Sequence, residues 1–490
     1  MTRARAALLA AATLLVLVAA RRDAWPRLRG PAPYPPEWQW GYAPKPAPLG
    51  RLAPAAGLAG AVLGLAAMAH RATARRGTGP ALLAAGTVVG CGFQIALLGL
   101  EPAGAMAELE RRTTSGSFTS YFKVAAGVED AGDLLSRHEE LLPRFRHGAL
   151  HAATHPPGPI LYYVALQRLA ARLPRLTAAL GGEARAAAVT GAVLFGLLGA
   201  AACFPVAALA RALGVPPAAA LRAGVLWTLV PGLCLMVPEL DQALALPVAS
   251  AAALVAAALA AGRGGGGLLA RAAAAGLLAG VAVFFSYGAP LLIGLGAAAV
   301  AAPALRTAEG RRRAAIVAAV GIAVTLACFL LPALFGHHPF ASARTALAIH
   351  REQFSARRSY PRWLAFDLLD LTLFLGVPVV LFAVFRSLGS ESLARSSSWR
   401  SLRAPQTPHL GTPFRLAAAG GVALLVASGL IRGEMGRILV PLMPVLLVAC
   451  VVSAPGGDAP EGEPSAPTAL VLSLLLAATD VVLRLSWELP

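Results

Sequence analysis

Apolar stretches recur along the whole chain and are separated by short polar or glycine- and proline-rich connections. Most are roughly 15–25 residues long, which matches the length of α-helix that crosses about 30 Å of hydrocarbon. The strict alternation of apolar and polar residues that a membrane β-barrel needs is not visible. The pattern therefore predicts an all-α fold, a polytopic transmembrane helical bundle of about 13 spans.

The predicted spans cover residues 6–20, 52–70, 80–100, 184–208, 217–237, 240–260, 272–287, 289–304, 314–335, 364–386, 416–431, 437–453 and 468–486. The first is short enough for a signal peptide, but Ala19-Ala20-Arg21-Arg22 offers no small-x-small cleavage site, so we interpret it as an anchoring helix. The chain then divides into N-terminal membrane helices (1–100), an extracytoplasmic loop with juxtamembrane helices (101–183) and a transmembrane helical bundle (184–490).

Composition supports a membrane protein and argues against a nucleic-acid partner. The chain is 57% hydrophobic and 13% charged, and its mean hydropathy is +0.67, outside the range of soluble globular domains. The net charge of +18 comes from arginines spread among the loops and not gathered in one basic domain, which is typical of membrane topology. Abundant Ala and Arg indicate a GC-rich bacterial genome.

The distribution of arginine predicts which loops face the cytoplasm. With the N-terminus inside, the predicted cytoplasmic connections contain Arg71, Arg75, Arg76, Arg211, Arg263, Arg271, Arg306, Arg311, Arg312, Arg313, Arg386, Arg395, Arg400, Arg403 and Arg415, as the positive-inside rule requires. The basic loop 21–51 disagrees with it. Most histidines and polar motifs fall on the opposite side, so we expect the chemistry at the extracytoplasmic face of a bacterial inner membrane.

The stretch His151-Ala-Ala-Thr-His-Pro-Pro-Gly-Pro-Ile-Leu-Tyr-Tyr163 begins an apolar segment in an unusual way. Its prolines predict the end of one element and the start of a helix. That helix, Ile160 to Leu173, is too short and polar to span a membrane, so we interpret it as juxtamembrane. Free N–H groups beside His155 would suit a phosphate; a simple interfacial turn is the alternative.

Two further motifs bring charge to the predicted extracytoplasmic face. Glu239 and Asp241 lie between two spans, where carboxylates are costly and could act as a general base, a metal ligand or a partner for arginine; a solvated turn is the alternative. Cations also lie at this face in His350-Arg351, in Arg357-Arg358-Ser-Tyr360 and in the group Arg432, Glu434 and Arg437. Arginine there could clamp a lipid-linked phosphate or bind anionic headgroups without catalysis.

No established cofactor motif is present in the chain. It lacks a Walker loop, a GxGxxG between strand and helix, an HExxH and a GxSxG, whose backbone and side-chain arrangements hold nucleotides, zinc or a nucleophilic serine. The cofactor is therefore unknown, and a divalent metal stays open. The five cysteines lie within apolar stretches without CxxC spacing, and we interpret them as core residues.

Taken in order, these motifs resemble the GT-C membrane glycosyltransferases. The resemblance rests on His155-Pro-Pro-Gly-Pro-Ile-Leu-Tyr-Tyr163, then Pro238-Glu-Leu-Asp241, the hairpin through Ser286-Tyr-Gly288, and Gly433-Glu-Met-Gly-Arg437 followed by Ile-Leu-Val-Pro441. It covers roughly residues 100–450, and the HPPGP motif is the most specific part. The family usually places a catalytic acid, often paired, directly after the first span, whereas here two more spans precede the large loop.

The resemblance implies a GT-C-like fold that transfers a sugar from a polyprenyl-phosphate donor to a lipid, glycan or protein acceptor. The lipid bilayer and the donor are then its partners. The resemblance leaves the base unassigned among the carboxylates Asp130, Glu108, Glu110, Glu239 and Asp241. The corresponding donor- and phosphate-binding residues are His151, His155, Tyr287, His350, Arg351, Glu434 and Arg437.

Three alternatives share this face of the protein. A lipid-linked glycan flippase or transporter would place functional groups on both faces, a glycan polymerase or ligase would use a sugar carried on a pyrophosphate lipid, and a scaffold would lack catalysis. A single transferase site predicts that Asp130, Asp241 and His155 converge on one cavity, because acid–base chemistry needs hydrogen-bond reach.

Overall fold

A computed structural model describes residues 3–33, 36–73, 77–260, 265–396, 411–451 and 466–489. These residues are mainly helical, with one short antiparallel ribbon of β1 (Gly41–Tyr42) and β2 (Trp487–Glu488). The helices are α1 (Arg3–Arg22), α2 (Leu49–Thr73), α3 (Thr78–Leu98), α4 (Ala105–Thr114), α5 (Tyr121–Ala125), α6 (Ala131–Ser136), α7 (His138–Phe145), α8 (Leu150–Ala153), α9 (Gly158–Ala171), α10 (Pro174–Leu180), α11 (Glu183–Ala201), α12 (Cys203–Ala212), α13 (Pro217–Trp227), α14 (Pro231–Leu235), α15 (Leu240–Ala260), α16 (Gly265–Phe285), α17 (Ala289–Ala301), α18 (Ala308–Leu330), α19 (Pro339–His350), α20 (Tyr360–Leu375), α21 (Val377–Ser396), α22 (Gly411–Ser428), α23 (Met435–Ile438), α24 (Met443–Val451) and α25 (Ala466–Ser486).

Ten helical stretches among the described residues are long and apolar enough to cross a membrane. They are Arg3–Arg22, Leu49–Thr73, Thr78–Leu98, Glu183–Ala212, Pro217–Leu235, Leu240–Ala260, Gly267–Phe285, Ala308–Phe335, Gly411–Ser428 and Ala466–Ser486. Such a length is what the backbone needs to satisfy its hydrogen bonds across hydrocarbon. The protein is therefore an all-α, multi-pass membrane protein.

The predicted count of about 13 spans is higher than the count of such helices. The predicted span 289–304 is the 13-residue helix α17, which ends just before Pro303, as expected because proline disfavours helix in the preceding residue. The predicted span 437–453 is divided into α23 and α24, and Pro441 lies in the break. The predicted span 364–386 bends by 104° between α20 and α21, at Gly376 with φ +104°. Counting that pair as one span gives eleven.

The large loop after α3 folds into the short helices α4 to α10. Helix α9 begins at Gly158, two residues before the predicted start. A Cβ at Gly158 would lie 2.2 Å from the carbonyl oxygen of Phe284, so the start of α9 packs directly against the end of α16. This approach places His155 beside the turn between α16 and α17.

The N-terminal segment that follows α1 packs against the end of α25. Arg29 forms an ion pair with Asp23 at 2.9 Å, and Lys45 forms one with Glu101 at 2.9 Å. The ribbon of β1 and β2 joins the segment to the chain after α25. Two of the cations that disagree with the positive-inside rule are thus neutralised within the fold, so they exert less of the charge effect that the rule describes.

Several connections meet at this same end of the bundle. The chain alternates in direction from span to span, and the turns at 236–239, 286–288, 351–359 and 429–434 lie together around one cavity with the end of the large loop. Arginine-rich connections such as those holding Arg211 and Arg313 lie at the opposite ends of the same spans. The fold therefore gathers motifs that are about 300 residues apart in the sequence.

Candidate functional site

A cavity of about 820 Å³ opens at this end of the bundle. Such a volume is in the range that holds a ligand larger than a free ion. Its polar lining consists of Tyr121, His151, Thr154, His155, Glu239, Asp241, Ser286, Tyr287, His350, Arg351, Ser355, Arg358, Ser428, Arg432, Glu434 and Arg437. The sequence motifs at 151–155, 239–241, 286–288, 350–351 and 433–437 therefore converge on a single site.

Asp241 and Arg437 lie next to each other in the lining of the cavity. The Asp241 Oδ2 atom lies 3.9 Å from the Arg437 Nε atom, and both side chains are partly exposed to the cavity. This distance is an ion pair but too long for a hydrogen bond. Within the described part of the chain, the buried Arg437 Nε has no hydrogen-bond partner. A buried donor of this kind is costly unless a ligand oxygen accepts from it.

Glu434 holds the other side of the Arg437 guanidinium. Arg437 Nη2 contacts Glu434 Oε2 at 2.8 Å, and Arg358 Nη2 donates to Glu434 Oε1 at 3.2 Å. Burial alone would raise the pKa of Glu434, but Arg437 and Arg358 outweigh it and lower that pKa. The pKa of Arg437 is raised, because its neighbouring carboxylates outweigh its own burial. Glu434 is therefore an anion that orients Arg437.

Glu239 differs from Asp241 in the same motif because Glu239 is almost fully buried. Its side chain lies at the inner wall of the cavity and is 5% exposed. Burial raises the pKa of Glu239 to about 8, against the opposing effect of Arg437. At neutral pH the group is thus a neutral acid, able to donate a hydrogen bond but poorly suited to accept a proton.

The loop that carries Glu434 and Arg437 is held by two aspartates of α20. Gly433 N donates to Asp367 Oδ1 at 3.0 Å, and Gly436 N donates to Asp370 Oδ2 at 2.7 Å. Trp40 Nε1, from the N-terminal segment, donates to the other oxygen of Asp370 at 3.1 Å. These contacts keep Glu434 in a left-handed conformation, φ 60°, which is strained for a residue with a Cβ.

The HPPGP stretch supplies the opposite wall. His155 Nδ1 is 2.9 Å from the carbonyl oxygen of His151, and the ring of Tyr121 lies edge-on to His155 with centroids 5.4 Å apart. Burial lowers the pKa of His151 to about 3 and that of His155 to about 4. Both imidazoles are therefore neutral hydrogen-bonding groups at neutral pH, and the cationic character of the site falls on arginine.

The other residues predicted to bind the sugar donor or its phosphate lie at the rim of the cavity. Tyr287 follows α16, and His350 ends α19 with its ring 5.1 Å from that of Phe354. Burial lowers the pKa of His350. Arg351 begins a π-helical turn, Arg351–Ser355, and is exposed; π-turns of this kind are frequent at functional sites.

Three predicted carboxylates lie apart from the cavity. Asp130 is exposed and caps α6, accepting from Gly132 N at 2.8 Å. Glu108 is buried against Arg112, at 2.9 Å, and Glu110 pairs with Arg185 at 3.1 Å. Asp241 and His155 share a cavity with each other but not with Asp130, so the expected convergence of all three does not occur.

Sequence reasoning missed Tyr121, Asp367 and Asp370, and it placed Arg358 only among the cations of the extracytoplasmic face. The spacing of Asp367-Leu-Leu-Asp370 was a readable signal, because two acids one helical turn apart within an apolar stretch are expensive and share a face. Nothing in the sequence distinguished Tyr121 from other tyrosines.

Nothing among known proteins adds to this geometry. No protein-family model, curated protein or solved structure matches the chain. Over the residues that the structure describes, no group of three or more His, Cys, Asp or Glu side chains is arranged to hold a metal ion. The site is therefore interpreted from its own contacts.

The packing of Gly436 gives a first prediction. A Cβ at this position would meet Phe374 Cδ2 at 2.2 Å, and Phe374 is fully buried. We expect Gly436→Ala to cost about 1–3 kcal/mol, because a well-packed core resists added volume. The measurement is thermal unfolding in detergent. Gly420→Ala, where a Cβ would meet nothing within 4 Å, is the control; an equal loss of stability in both variants contradicts the packing argument.

Proposed function

We propose that the protein is a membrane glycosyltransferase that moves a sugar from a lipid-phosphate donor to an acceptor hydroxyl. The observation that carries this proposal is the pairing of Asp241 with Arg437 in one cavity at a membrane-level end of the bundle. Proton removal and phosphate departure require a carboxylate that can take a proton and an arginine near it that can stabilise the departing phosphate. The resemblance of the motifs to GT-C enzymes supports the same activity.

Asp241 is the best base among the carboxylates of the cavity. Glu434 is committed to two arginines, and Glu239 is neutral at neutral pH. Asp241 is partly open to the cavity and is held only loosely, at 3.9 Å, by Arg437. In the proposed step the acceptor oxygen attacks the anomeric carbon, its proton passes to Asp241, and the bond between that carbon and the phosphate oxygen breaks.

Arg437 is suited to the departing lipid phosphate. Its guanidinium is oriented by Glu434, and the residue lines the cavity. A preorganised donor of this type stabilises charge that develops on a leaving oxygen, and its effect is large where water is excluded. The neutral imidazoles of His151 and His155 add hydrogen bonds without adding charge.

An apolar groove adjoining the cavity supports a lipid-linked donor. The groove has a volume of about 900 Å³ and shares Tyr287 and Leu347 with the polar cavity. A ligand that joins a phosphate to a long hydrocarbon would fill both parts at once. A polyprenyl phosphate has this chemistry.

The charge distribution supports an extracytoplasmic site in a bacterial plasma membrane. The arginine-rich connections that hold Arg211, Arg271 and Arg313 lie at the end of the bundle opposite the cavity. By the positive-inside rule that end faces the cytoplasm. The sugar would then be transferred on the outer side.

The proposal is tested with the purified full chain in liposomes. A panel of polyprenyl-phosphate sugars labelled in the sugar is supplied together with a cell-envelope extract as the source of acceptors. We expect one donor to lose its label to acceptor material while free polyprenyl phosphate accumulates in equal amount. If no donor in the panel is consumed by the wild-type protein, the proposal fails.

A lipid-linked glycan transporter is the second candidate, because residues along most of the length of α18 line the groove. A transporter moves the donor between leaflets without breaking it. Liposomes with labelled donor in the inner leaflet separate the two: transport exposes intact donor outside, whereas transfer releases polyprenyl phosphate.

The buried Glu239 gives a prediction for pH. A group with a raised pKa of about 8 is neutral below that pH and becomes an anion above it. A second negative charge beside Asp241 then repels an anionic ligand, so we expect the affinity for polyprenyl phosphate to fall as the pH rises through about 8. Equilibrium binding between pH 6 and pH 10 measures this.

Glu239→Gln is the control for that titration, because it keeps the neutral shape of the acid and cannot ionise. Its affinity should show no added fall near pH 8, while any titration of the ligand phosphate stays common to both proteins. The same fall in wild type and variant means that another group titrates.

A further inference from the structure

The apolar groove lies among four helices, α15, α16, α17 and α18. Much of its wall is alanine and glycine, including Ala279, Gly294, Ala298 and Ala318. Small side chains leave an open channel where larger ones would fill the space between the helices. The polar atom of Thr325 is turned away, since its hydroxyl donates to the backbone oxygens of Gly276 and Gly321.

The groove is long compared with one membrane leaflet. Along α18 its lining runs from Phe329, near the cavity, to Arg311 at the opposite end. The 18 residue-to-residue steps between them (329 − 311) correspond to about 27 Å at 1.5 Å per step. A leaflet contributes half of the hydrocarbon core, about 15 Å. The groove therefore extends well past the middle of the membrane.

The groove and the polar cavity adjoin each other. Tyr287 and Leu347 line both, and the cationic Arg351 and Arg437 lie on the cavity side. A ligand with its anionic end at Arg437 has its hydrocarbon end directed into the groove. The length of the groove then selects among ligands by the length of their chain.

We propose that the groove reads chain length: it holds the single apolar chain of a polyprenyl phosphate that is longer than one leaflet, and discriminates against short-chain and two-chain lipid phosphates. This inference rests on the proposed function for the identity of the anionic end. A phospholipid whose phosphate lies in the cavity has chains that end near the membrane middle, and it leaves the half of the groove near Arg311 unfilled. The chain is already surrounded by hydrocarbon in the membrane, so the gain comes from packing contacts along the groove, and a longer chain binds tighter until the groove is full.

Two neighbouring alanines of α18 allow a matched test. Ala318 and Ala319 are both exposed, but Ala318 lines the groove and Ala319 is not among its lining residues. Ala318 is 11 residues (329 − 318) from Phe329, or about 16 Å. A phenylalanine at 318 would block the groove beyond the reach of a short chain, and a phenylalanine at 319 would leave it open.

The experiment is equilibrium binding of undecaprenyl phosphate and geranyl phosphate to the full chain in detergent, read by native mass spectrometry. We expect wild type to bind the long chain at least about tenfold tighter, because the longer chain makes more packing contacts along the groove. Ala318→Phe should lose most of that preference and keep its affinity for geranyl phosphate. Ala319→Phe should behave like wild type.

Several results would overturn the inference. These are equal affinity of wild type for the two chain lengths, a loss of long-chain preference in both variants, or displacement of undecaprenyl phosphate by equimolar dioleoyl phosphatidic acid. Because the ligands carry no sugar, the outcome is separate from the transferase assay. Chain-length selection without sugar transfer would support the inference about the groove and contradict the proposed transferase activity. Sugar transfer without chain-length selection would support the transferase activity and contradict the inference about the groove.

Discussion

Asp241→Asn is expected to lower sugar transfer by roughly 100- to 10,000-fold, the usual contribution of a positioned general base. Asparagine has nearly the same shape as aspartate but cannot take up the proton of the attacking hydroxyl. The ion pair with Arg437 is already long, at 3.9 Å, so its loss should change donor binding little. The rate constant should therefore fall while the affinity for polyprenyl phosphate stays within a few-fold of wild type. Transfer assays in liposomes and binding in detergent measure the two quantities.

Asp130→Asn is the matched control for this substitution. Asp130 is exposed and serves as the N-cap of α6, a position where asparagine is as favourable as aspartate. We expect full transfer activity from this variant. Undiminished transfer by Asp241→Asn would remove that residue from the chemistry, and a large loss in Asp130→Asn would return the loop carboxylates to consideration.

Replacing Arg437 by glutamine is expected to lower both transfer and the binding of polyprenyl phosphate, with transfer falling by about 100- to 1,000-fold. The substitution removes the guanidinium of a cavity-lining residue and leaves Glu434 with Arg358 as its ion-pair partner. Arg437→Lys should recover part of the binding but little of the rate, because an ammonium cannot contact Glu434 and a phosphate with the same planar geometry.

Arg351→Gln provides the comparison for Arg437. Arg351 lines the same cavity but is exposed at its rim, where interactions between charges are screened by water and salt. We expect an effect below about tenfold that shrinks further at high salt. Equal losses in the two variants would mean that binding of the phosphate does not depend on Arg437 more than on the exposed Arg351.

The helical architecture was predictable because it depends on local sequence. Apolar stretches of sufficient length predicted the membrane helices, and the prolines before Ile160 predicted the start of α9 to within two residues. The errors occur where a short element satisfies its backbone against neighbouring protein. The helix α17 and the break between α23 and α24 are apolar enough to resemble spans, but Pro303 and Pro441 interrupt them.

The residues of the site were only partly predictable. Glu239, Asp241 and Arg437 were conspicuous because charge is expensive near an apolar segment. Residue type alone gave no reason to prefer these three residues over Glu108, Glu110 or Asp130. In the fold the latter three lie away from the cavity, where they are paired with arginine or exposed. The supporting aspartates of α20 act through the backbone of the loop around Glu434, a contact that spans 66 residues in the sequence.

The sequence by itself determined the class of the protein, the approximate positions of its membrane helices and the set of polar motifs that needed an explanation. Hydrophobic length and the cost of exposing backbone to hydrocarbon are properties of single segments, so no tertiary information was needed. Only the tertiary structure decided which motifs meet, that Glu434 is committed to arginines while Asp241 remains open, and that a groove adjoins the cavity at Tyr287. Those facts depend on burial and on distances between remote segments, which set the ionisation and the free hydrogen-bonding capacity of each group.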